Sequence, residues 1–325
     1  MTDKILDIKN LKIWYKTYSG NSEVVDGINF YVNKKEKVGL VGEAGCGKTT
    51  TMRSILRVLD EKAFIPEGNV LFKNRDILKM KYHQLQQIRK KNISMVYQEP
   101  GASLNPVFTI GQQMLDVMKY SGHFKNISKK KMIELILDKI KTVMISDVSR
   151  IFYSYPHQLS GGMKQRICIA MALLTPRELI IADEPGTALD VTIQDQIHRL
   201  LGTLVKDNEV SLIMVTHSLA VARELVDRTY VMYAGNIVEV SKTKELFKNS
   251  LHPYTRGLME CVPRLLGKGI SEGIYGYIPE YINPLPGCRF FPRCPDAVEI
   301  CSKLKPPIIE VTDEHFVACH KYCQN

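Results

Sequence analysis

The stretch Lys37–Thr49, KVGLVGEAGCGKT, decides the fold of this chain. Lys37–Val41 is an apolar run typical of a buried strand, and a helical pattern follows over Thr49–Leu59. The GxxGxGKT pattern between them lets backbone N–H groups converge on phosphate oxygens, while Lys48 reaches the terminal phosphates and Thr49 binds Mg²⁺. This stretch predicts a phosphate-binding loop in an α/β fold. The residues expected to line it are Gly42, Glu43, Ala44, Gly45, Cys46, Gly47, Lys48, Thr49 and Thr50.

A second buried strand ends in two carboxylates. The apolar run Leu179–Ala182 is followed directly by Asp183 and Glu184. Adjacent carboxylates at the end of a strand are unfavourable unless a cation or a substrate uses them. We therefore expect Asp183 to bind Mg²⁺ and Glu184 to polarise an attacking water molecule.

A second phosphate-binding element lies in LSGGMKQR, Leu159–Arg166. A serine and two glycines at the start of a helical pattern offer a hydroxyl, backbone N–H groups and a positive helix end. Two separate phosphate-binding elements fit a dimer in which the phosphate-binding loop of one copy and the Leu159–Arg166 element of the other bind the same nucleotide. Further parallel strands are predicted at Ile93–Tyr97 and Ser211–Val215.

Together and in this order, these motifs resemble those of the ATP-binding cassette (ABC) ATPases, whose LSGGQ signature has Met163 here in place of Gln. The resemblance implies an α/β, P-loop ABC ATPase with a RecA-like mixed sheet core, an inserted helical subdomain and a small irregular C-terminal extension. It implies ATP and Mg²⁺ as ligands. Tyr15 is expected to stack on adenine, with Trp14 as the alternative. The other roles that the resemblance implies are metal and water contact for Gln98, γ-phosphate contact for His217, an inter-subunit loop at Asp190, and contact with the partner's ATP for Ser160, Gly161, Gly162, Lys164 and Gln165.

Three segments resemble the ATPases of peptide importers more narrowly: the stretch after Gln98, the stretch around Asp183 with Gly186 replacing a Thr, and the His252-Pro-Tyr-Thr start of a C-terminal extension. Nickel importers and some oligosaccharide importers are similar. The likeness implies a homologous ATPase partner, in a homodimer or heterodimer, two membrane permeases and an extracellular solute-binding protein. A soluble ABC ATPase that acts on nucleic acid is the distant alternative, and we expect no nucleic-acid partner.

Composition divides the chain into two predicted domains. Strand and helix patterns alternate over residues 1–250, the ABC ATPase domain, with a helical subdomain at about 100–160. Residues 251–325 are rich in Pro, Gly, Tyr and Cys and form the predicted extension. The net charge of +10 suggests an anionic partner. Without a secretory segment or an apolar run of ~20 residues, the chain is expected at the cytoplasmic face of the membrane, as a peripheral protein.

Five of the eight cysteines lie in the predicted extension after residue 287. The spacing of Cys288, Cys294, Cys301 and Cys319 resembles a [4Fe–4S] site in peptide-importer ATPases. Four thiolates also suit zinc, so both metals remain open, as do unliganded thiols. The alternatives for the fourth ligand are Cys323 and His320. The many prolines here imply an irregular backbone that a metal would stabilise, so we expect a structural centre.

Cys46 carries a separate expectation. A thiol beside the N-terminus of a helix tends to have a lowered pKa. The sequence therefore predicts a reactive Cys46 that alkylating agents modify and ATP protects.

Overall fold

The computed structural model of the chain describes residues 3–187, 189–261 and 273–323. It divides into two compact units: a first unit of Met1–Lys79 with Met214–Asn325, and a second unit of Met80–Ile213. This division differs from the predicted boundary at residue 250, because the C-terminal extension packs within the same unit as the first strands. Among the described residues, no helix has both the length and the apolar character needed to cross a membrane.

The first unit contains an antiparallel sheet built on two long strands. Leu6 and Ile8 of the first strand are buried, and so are Leu11 and Ile13, because side chains two residues apart share a face of a strand. A register shift between Ile8 and Leu11 changes which positions point to the core. In the order β2-β1-β5-β6, with β4 also pairing β1, the strands are β1 Lys4–Thr17, β2 Gly20–Asn33, β4 Ala63–Phe64, β5 Asn69–Phe72 and β6 Arg75–Asp76.

The same unit contains the strand predicted before the phosphate-binding loop, in a mixed sheet. The strands are β3 Lys37–Val41, β10 Arg228–Tyr233, β11 Asn236–Lys242, β12 Ile309–Thr312 and β13 His315–Val317. β10 pairs with β3 in parallel, whereas β11 is antiparallel to both β10 and β13. The helices are α1 Lys48–Ile55, α9 Leu219–Leu225, α10 Thr243–Lys248, α11 Pro253–Glu260 and α12 Ile300–Lys303.

The second unit combines parallel strands with most of the long helices. Its strands β7 Ile93–Val96 and β8 Leu179–Asp183 pair in parallel. Strand β9, Ser211–Thr216, contains the junction between the units. The helices are α2 Tyr82–Lys91, α3 Pro100–Ser103, α4 Ile110–Ser121, α5 Lys129–Thr142, α6 Val148–Tyr153, α7 Gly161–Ala172 and α8 Val191–Asp207.

Helices α3 to α6 lie in the stretch predicted as a helical subdomain, and α4, α5 and α6 each begin after a side chain that caps them. The hydroxyls of Thr109 and Ser128 accept hydrogen bonds from the first turns of α4 and α5. The compact unit that holds these helices is larger than the predicted insertion, because β7, β8, α7 and α8 pack with them.

A buried carboxylate joins the extension to the mixed sheet. Glu239 of β11 is fully buried; its Oε1 accepts from the Leu251 N–H at 2.7 Å and its Oε2 from the His252 N–H at 3.0 Å. His315 Nε2 of β13 lies 2.8 Å from Glu239 Oε1. Burial lowers the pKa of His252 to about 4, so its ring is neutral and its Nδ1 accepts from the Tyr254 N–H at the start of α11.

Candidate nucleotide-binding site

The phosphate-binding loop follows β3 and ends where α1 begins, as predicted. Gly45 and Gly47 have φ angles of +79° and +105°, which residues with side chains rarely adopt. A Cβ on Gly42 would lie 2.1 Å from the carbonyl oxygen of Met232 in β10. All three glycines are therefore required by the path of the backbone, which brings the first N–H groups of α1 to the loop.

Lys48, the first residue of α1, is held by the loop itself. Its side chain is 4% exposed, and Nζ donates to the carbonyl oxygens of Gly42 at 2.7 Å and Glu43 at 2.9 Å. Thr49 and Thr50, which follow Lys48, are half-buried. The positive charge of Lys48 thus lies beside the positive end of a helix, and both favour an anion.

The predicted lowering of the Cys46 thiol pKa is wrong. Cys46 is fully buried, and burial raises its pKa, although the nearby Lys48 acts in the opposite direction. Desolvation of the thiolate outweighs the helix N-terminus because the side chain is closed off from water. Cys46 can still contribute its backbone to the loop. Ala44, two residues earlier, is exposed.

The two aromatic candidates for the adenine site occupy different environments. The Trp14 ring packs edge-on against Phe64 of β4 with a centroid distance of 5.9 Å. Tyr15, on the opposite face of β1, is half-buried and pairs with Ala63. The packing of Trp14 suits a structural role, and Tyr15 stays the predicted adenine contact. His217, which follows β9, is exposed.

In the second unit, Gln98, Asp183 and Glu184 gather at the carboxyl ends of β7 and β8. Val96 pairs with Ala182, so Gln98 and Glu184 lie equally far beyond that pair in their chains. Asp183 is 3% exposed. This is the edge of a parallel sheet at which ligands bind.

Glu184 has a strained backbone and a positioned carboxylate. Its φ of +45° is rare for a residue with a side chain, and such strain clusters at functional sites. The Thr187 hydroxyl donates to Glu184 Oε2 at 3.0 Å. Nothing in the sequence singles out Thr187, because a threonine three residues from a carboxylate is ordinary. A Cβ on Gly186 would lie 2.6 Å from Cγ of Gln194, so a larger residue there would require the Gln194 side chain to shift.

The predicted signature residues and the inter-subunit loop pack together within the second unit. Ser160 caps α7, its hydroxyl accepting from the Met163 N–H at 3.3 Å. A Cβ on Gly162 would lie 2.9 Å from Cγ2 of Ile193, and Asp190 caps α8 by accepting from the Ile193 N–H at 3.0 Å. The glycines therefore allow the start of α7 to approach the start of α8. A Cβ on Gly161 would likewise lie 3.1 Å from Leu189 Cδ2.

The last two signature residues differ in exposure. Lys164 is half-buried and lies three residues after the exposed Gly161. Gln165 is fully buried, and among the described residues neither of its amide atoms has a hydrogen-bond partner. That placement does not suit contact with a nucleotide of a second subunit, since the side chain faces the interior of its own unit.

The extension contacts the phosphate-binding loop directly, and no local pattern predicts these contacts. The Arg293 guanidinium bonds both carboxylate oxygens of Glu43, at 2.8 and 3.1 Å. The Tyr281 hydroxyl donates to the Gly45 carbonyl at 2.8 Å, and the Tyr254 hydroxyl accepts from the Glu43 N–H at 2.9 Å. The signal that could have found Tyr254 is its place in the His252-Pro-Tyr-Thr segment.

Four cysteines of the extension face one cavity of about 320 Å³. Burial raises the pKa of Cys288 to about 11 and also raises that of Cys294 and Cys319. Among the described residues, no three His, Cys, Asp or Glu side chains form a group that could hold a metal ion. The four thiols predicted to bind a metal therefore line one cavity, but among the described residues they are not arranged as a site for a single ion. The four cysteines are Cys288, Cys294, Cys301 and Cys319.

The alternative ligands have other contacts. His320 also lines the cavity, but its Nε2 lies 2.8 Å from the carbonyl oxygen of Leu304. The Cys323 thiol donates to the carbonyl oxygen of Cys319 at 3.4 Å. Neither arrangement favours these residues over the four cysteines.

Comparison with known proteins agrees with this geometry. The ABC transporter family model matches residues 25–187, and the model described as oligopeptide/dipeptide transporter, C-terminal region, matches residues 238–301. The chain is 40% identical to the dipeptide transport ATP-binding protein DppD of Bacillus subtilis, over 98% of this chain and 94% of that protein. It is 39% identical to the oligopeptide transport ATP-binding protein OppD of Escherichia coli, again over 98% and 94%.

A solved structure shares the fold. The dimeric post-hydrolysis structure of the ATP-binding cassette MJ0796, bound to ADP and Pi, has a TM-score of 0.66 and 26% identity, covering 73% of this chain and 98% of that one. The expected α/β ABC ATPase fold is confirmed. Since the phosphate-binding loop, the paired carboxylates and the C-terminal region all agree, the chain belongs to the ABC transporter family of ATP-binding proteins and carries the C-terminal region of its oligopeptide/dipeptide branch.

Proposed function

We propose that the chain is the ATP-hydrolysing subunit that energises a peptide importer. The observation that carries the proposal is one chain with a phosphate-binding loop, a strand-end carboxylate pair and an oligopeptide/dipeptide-type C-terminal region. The ATP chemistry follows from the first two. The peptide cargo is supported by near-40% identity, over almost the whole chain, to proteins named for dipeptide and oligopeptide transport.

Each step of the proposed mechanism is assigned to residues of this chain. Lys48 and the N–H groups of the loop bind the phosphates of ATP, and Tyr15 stacks on adenine. Mg²⁺, which neutralises phosphate charge, would be held by Thr49, Gln98 and Asp183. Asp183 suits this task because a buried carboxylate at the end of an apolar strand needs a cation or a donor.

Hydrolysis is assigned to the residue that follows Asp183. Glu184 accepts the proton of the attacking water as a general base, with its carboxylate oriented by the Thr187 hydroxyl. Gln98 orients the same water, and His217 contacts the γ-phosphate. Ser160, Gly161, Gly162 and Lys164 reach the ATP of a second ATPase subunit, and Asp190 contacts that subunit.

The proposed setting is the cytoplasmic face of the membrane. Two ATPase subunits would dock beneath two permease subunits, and an extracellular solute-binding protein would deliver the cargo. The helices α3 to α6 would meet the permeases.

The test is uptake in the source cell, comparing wild type with Glu184→Gln and with the exposed control Glu224→Gln. Labelled dipeptides, oligopeptides, an oligosaccharide and nickel are offered separately. We expect Glu184→Gln to lower ATP hydrolysis by ~10²–10⁴-fold while retaining ATP binding, and to abolish peptide uptake selectively. Loss of sugar or nickel uptake instead would overturn the peptide assignment, and loss of neither would overturn the import function.

We further propose that the four-cysteine cavity holds a [4Fe–4S] cluster with a structural role, zinc being the alternative. The support is chemical: four thiols share one cavity, and such clusters are bound by four cysteine thiolates. Thiolates around a cluster stand farther apart than ligands around a single ion, which is compatible with the lack of an ion-sized group among the described residues. Bound metal would also favour the deprotonated thiols.

Metal and sulfide analysis of anaerobically purified protein tests this proposal. Iron and acid-labile sulfide in equal amounts are expected, and Cys294→Ser should lower both the metal content and the unfolding temperature. Cys261→Ser, at an exposed cysteine outside the cavity, is the control. Zinc without sulfide would favour the alternative, and metal-free protein of unchanged stability would contradict both.

A further inference from the structure

The phosphate-binding loop contains a negative charge where a polyphosphate anion is expected. Glu43 is its second residue, and its backbone carbonyl accepts from the Lys48 ammonium. An unpaired carboxylate this near to phosphate groups would repel them, more strongly at a partly buried site than in water. Something must offset the Glu43 charge if the loop is to bind ATP, and this part of the inference rests on the proposed function.

Arg293 offsets that charge. Its side chain is 5% exposed, and two of its nitrogens form a paired contact with the Glu43 carboxylate, the strong geometry for an arginine–carboxylate pair. The rest of the guanidinium is also engaged, donating to the carbonyl oxygens of Ile274 and Tyr275 and to the Tyr233 hydroxyl. These three contacts hold the Arg293 guanidinium in position independently of its contact with Glu43.

Two further hydroxyls of the first unit hold the backbone of the same loop. Tyr281 donates to the Gly45 carbonyl, and Tyr254 accepts from the Glu43 N–H. Tyr281 is itself anchored, because its carbonyl oxygen accepts from the Glu23 N–H of β2 at 2.8 Å. The extension thus reaches one side chain and two backbone groups within three residues of the loop.

We propose that Arg293 and Tyr281 are positioning residues of the nucleotide site. Arg293 neutralises Glu43 and holds its carboxylate away from the phosphates, and Tyr281 fixes the Gly45 turn. Neither touches the nucleotide. The C-terminal extension is, on this view, a part of the ATP site that sets how tightly the loop binds phosphate.

The test measures MgATP binding by calorimetry, on the purified full-length protein, at low and high salt. Arg293→Gln leaves the Glu43 charge unpaired and is expected to raise the Kd for ATP about tenfold at low salt, and less at high salt because salt screens the repulsion. Adding Glu43→Gln to Arg293→Gln should recover most of the lost affinity. A merely structural arginine would show neither the salt dependence nor the rescue.

The matched control is Arg289→Gln. The Arg289 side chain is 4% exposed and also lies in the extension, but it donates to the carbonyl oxygens of Glu23 and Ala234 and pairs with Asp26. The Arg289→Gln variant should have a lower unfolding temperature, without a salt-dependent change in its Kd for ATP. An equal rise in Kd for Arg289→Gln and Arg293→Gln, or no recovery in the double variant, would overturn the role of Arg293.

Tyr281→Phe keeps the inference testable if Arg293→Gln fails to fold. Removing one hydroxyl should raise the Kd for ATP about threefold, whereas Tyr277→Phe, at an exposed position, should leave it unchanged. Equal Kd values for the two variants would contradict the proposal. If wild-type protein binds no ATP, the proposed function itself fails, so the two failures are distinguishable.

Discussion

The phosphate-binding loop and the C-terminal extension lie in one compact unit and are stabilised in opposite ways. The loop is built from backbone groups, and its glycines are required by local conformation or by the close approach of β10. The extension is held by buried charged side chains whose partners lie far away in the chain, such as Glu239 with His315 and Arg293 with Glu43. A short sequence motif is enough to specify the backbone of the phosphate-binding loop. The side-chain contacts of the extension depend instead on pairs of residues that are distant in the sequence.

The two regions also differ in how well they tolerate amino-acid substitution. In the loop, the exposed side chain of Ala44 can vary as long as the backbone keeps its path. In the extension, a single buried side chain joins several elements, so its loss leaves several groups without a partner. Three experiments measure this contrast, beginning with the largest expected effect.

Glu239→Ala tests whether buried charge holds the extension. The change leaves the Leu251 and His252 amides and the His315 ring without their carboxylate partner. We expect the free energy of unfolding in urea to fall by about 3–5 kcal/mol. Glu280→Ala, an exposed residue of the same region, is the control and should change it by less than about 0.5 kcal/mol. A small effect of Glu239→Ala would remove the contrast between the two regions.

Gly42→Ala and Gly287→Ala place the same methyl group against a backbone carbonyl in each region. The new Cβ would lie 2.1 Å from the Met232 oxygen in the first case and 2.2 Å from the Cys301 oxygen in the second. Overpacking of this kind costs about 1–3 kcal/mol of stability in both. Only Gly42→Ala should also lose ATP binding, which calorimetry would show. Gly101→Ala, where a Cβ meets no neighbour within 4 Å, is the control.

Loss of ATP binding in both glycine variants would indicate that the extension and the loop unfold together, and the contrast would not hold.

The smallest expected effect concerns alkylation of the Cys46 thiol, which we expect not to react in the native protein. Burial raises the pKa of this thiol and closes it off from reagents. Iodoacetamide should modify the exposed Cys261 first, as mass spectrometry of digested protein would show, and should reach Cys46 only as the protein unfolds. Labelling of Cys46 in the native protein should therefore be negligible both with and without ATP. Rapid labelling that ATP prevents would restore the original expectation.

Much of the fold could be predicted because its signals are local. The strands β3, β7, β8 and β9 appear as apolar runs, and α1 begins one residue before the helix predicted over Thr49–Leu59 and ends four residues earlier. The paired long strands β1 and β2 were not predicted as a sheet, since their pairing depends on residues up to about thirty positions apart. The compact units also escaped prediction, because contacts along the whole chain define them.

The site divides in the same way. The glycines and Lys48 of the loop could be found from spacing alone, since each serves a backbone path or a phosphate. Arg293 could not, because its partner Glu43 lies 250 residues earlier. The pKa of Cys46 was predicted in the wrong direction, since its burial depends on packing that no local pattern records.

One pairing in the first unit has a consequence for the synthesis of the protein. β13 covers the edge of β11 that β10 leaves open, although β13 is made much later than β11 because it begins only at His315. Until it emerges from the ribosome, the growing chain presents an unpaired strand edge beside the carboxylate of Glu239, which still lacks its histidine. Open edges recruit other strands, so the nascent protein passes through a stage prone to aggregation that ends only when β13 is in place.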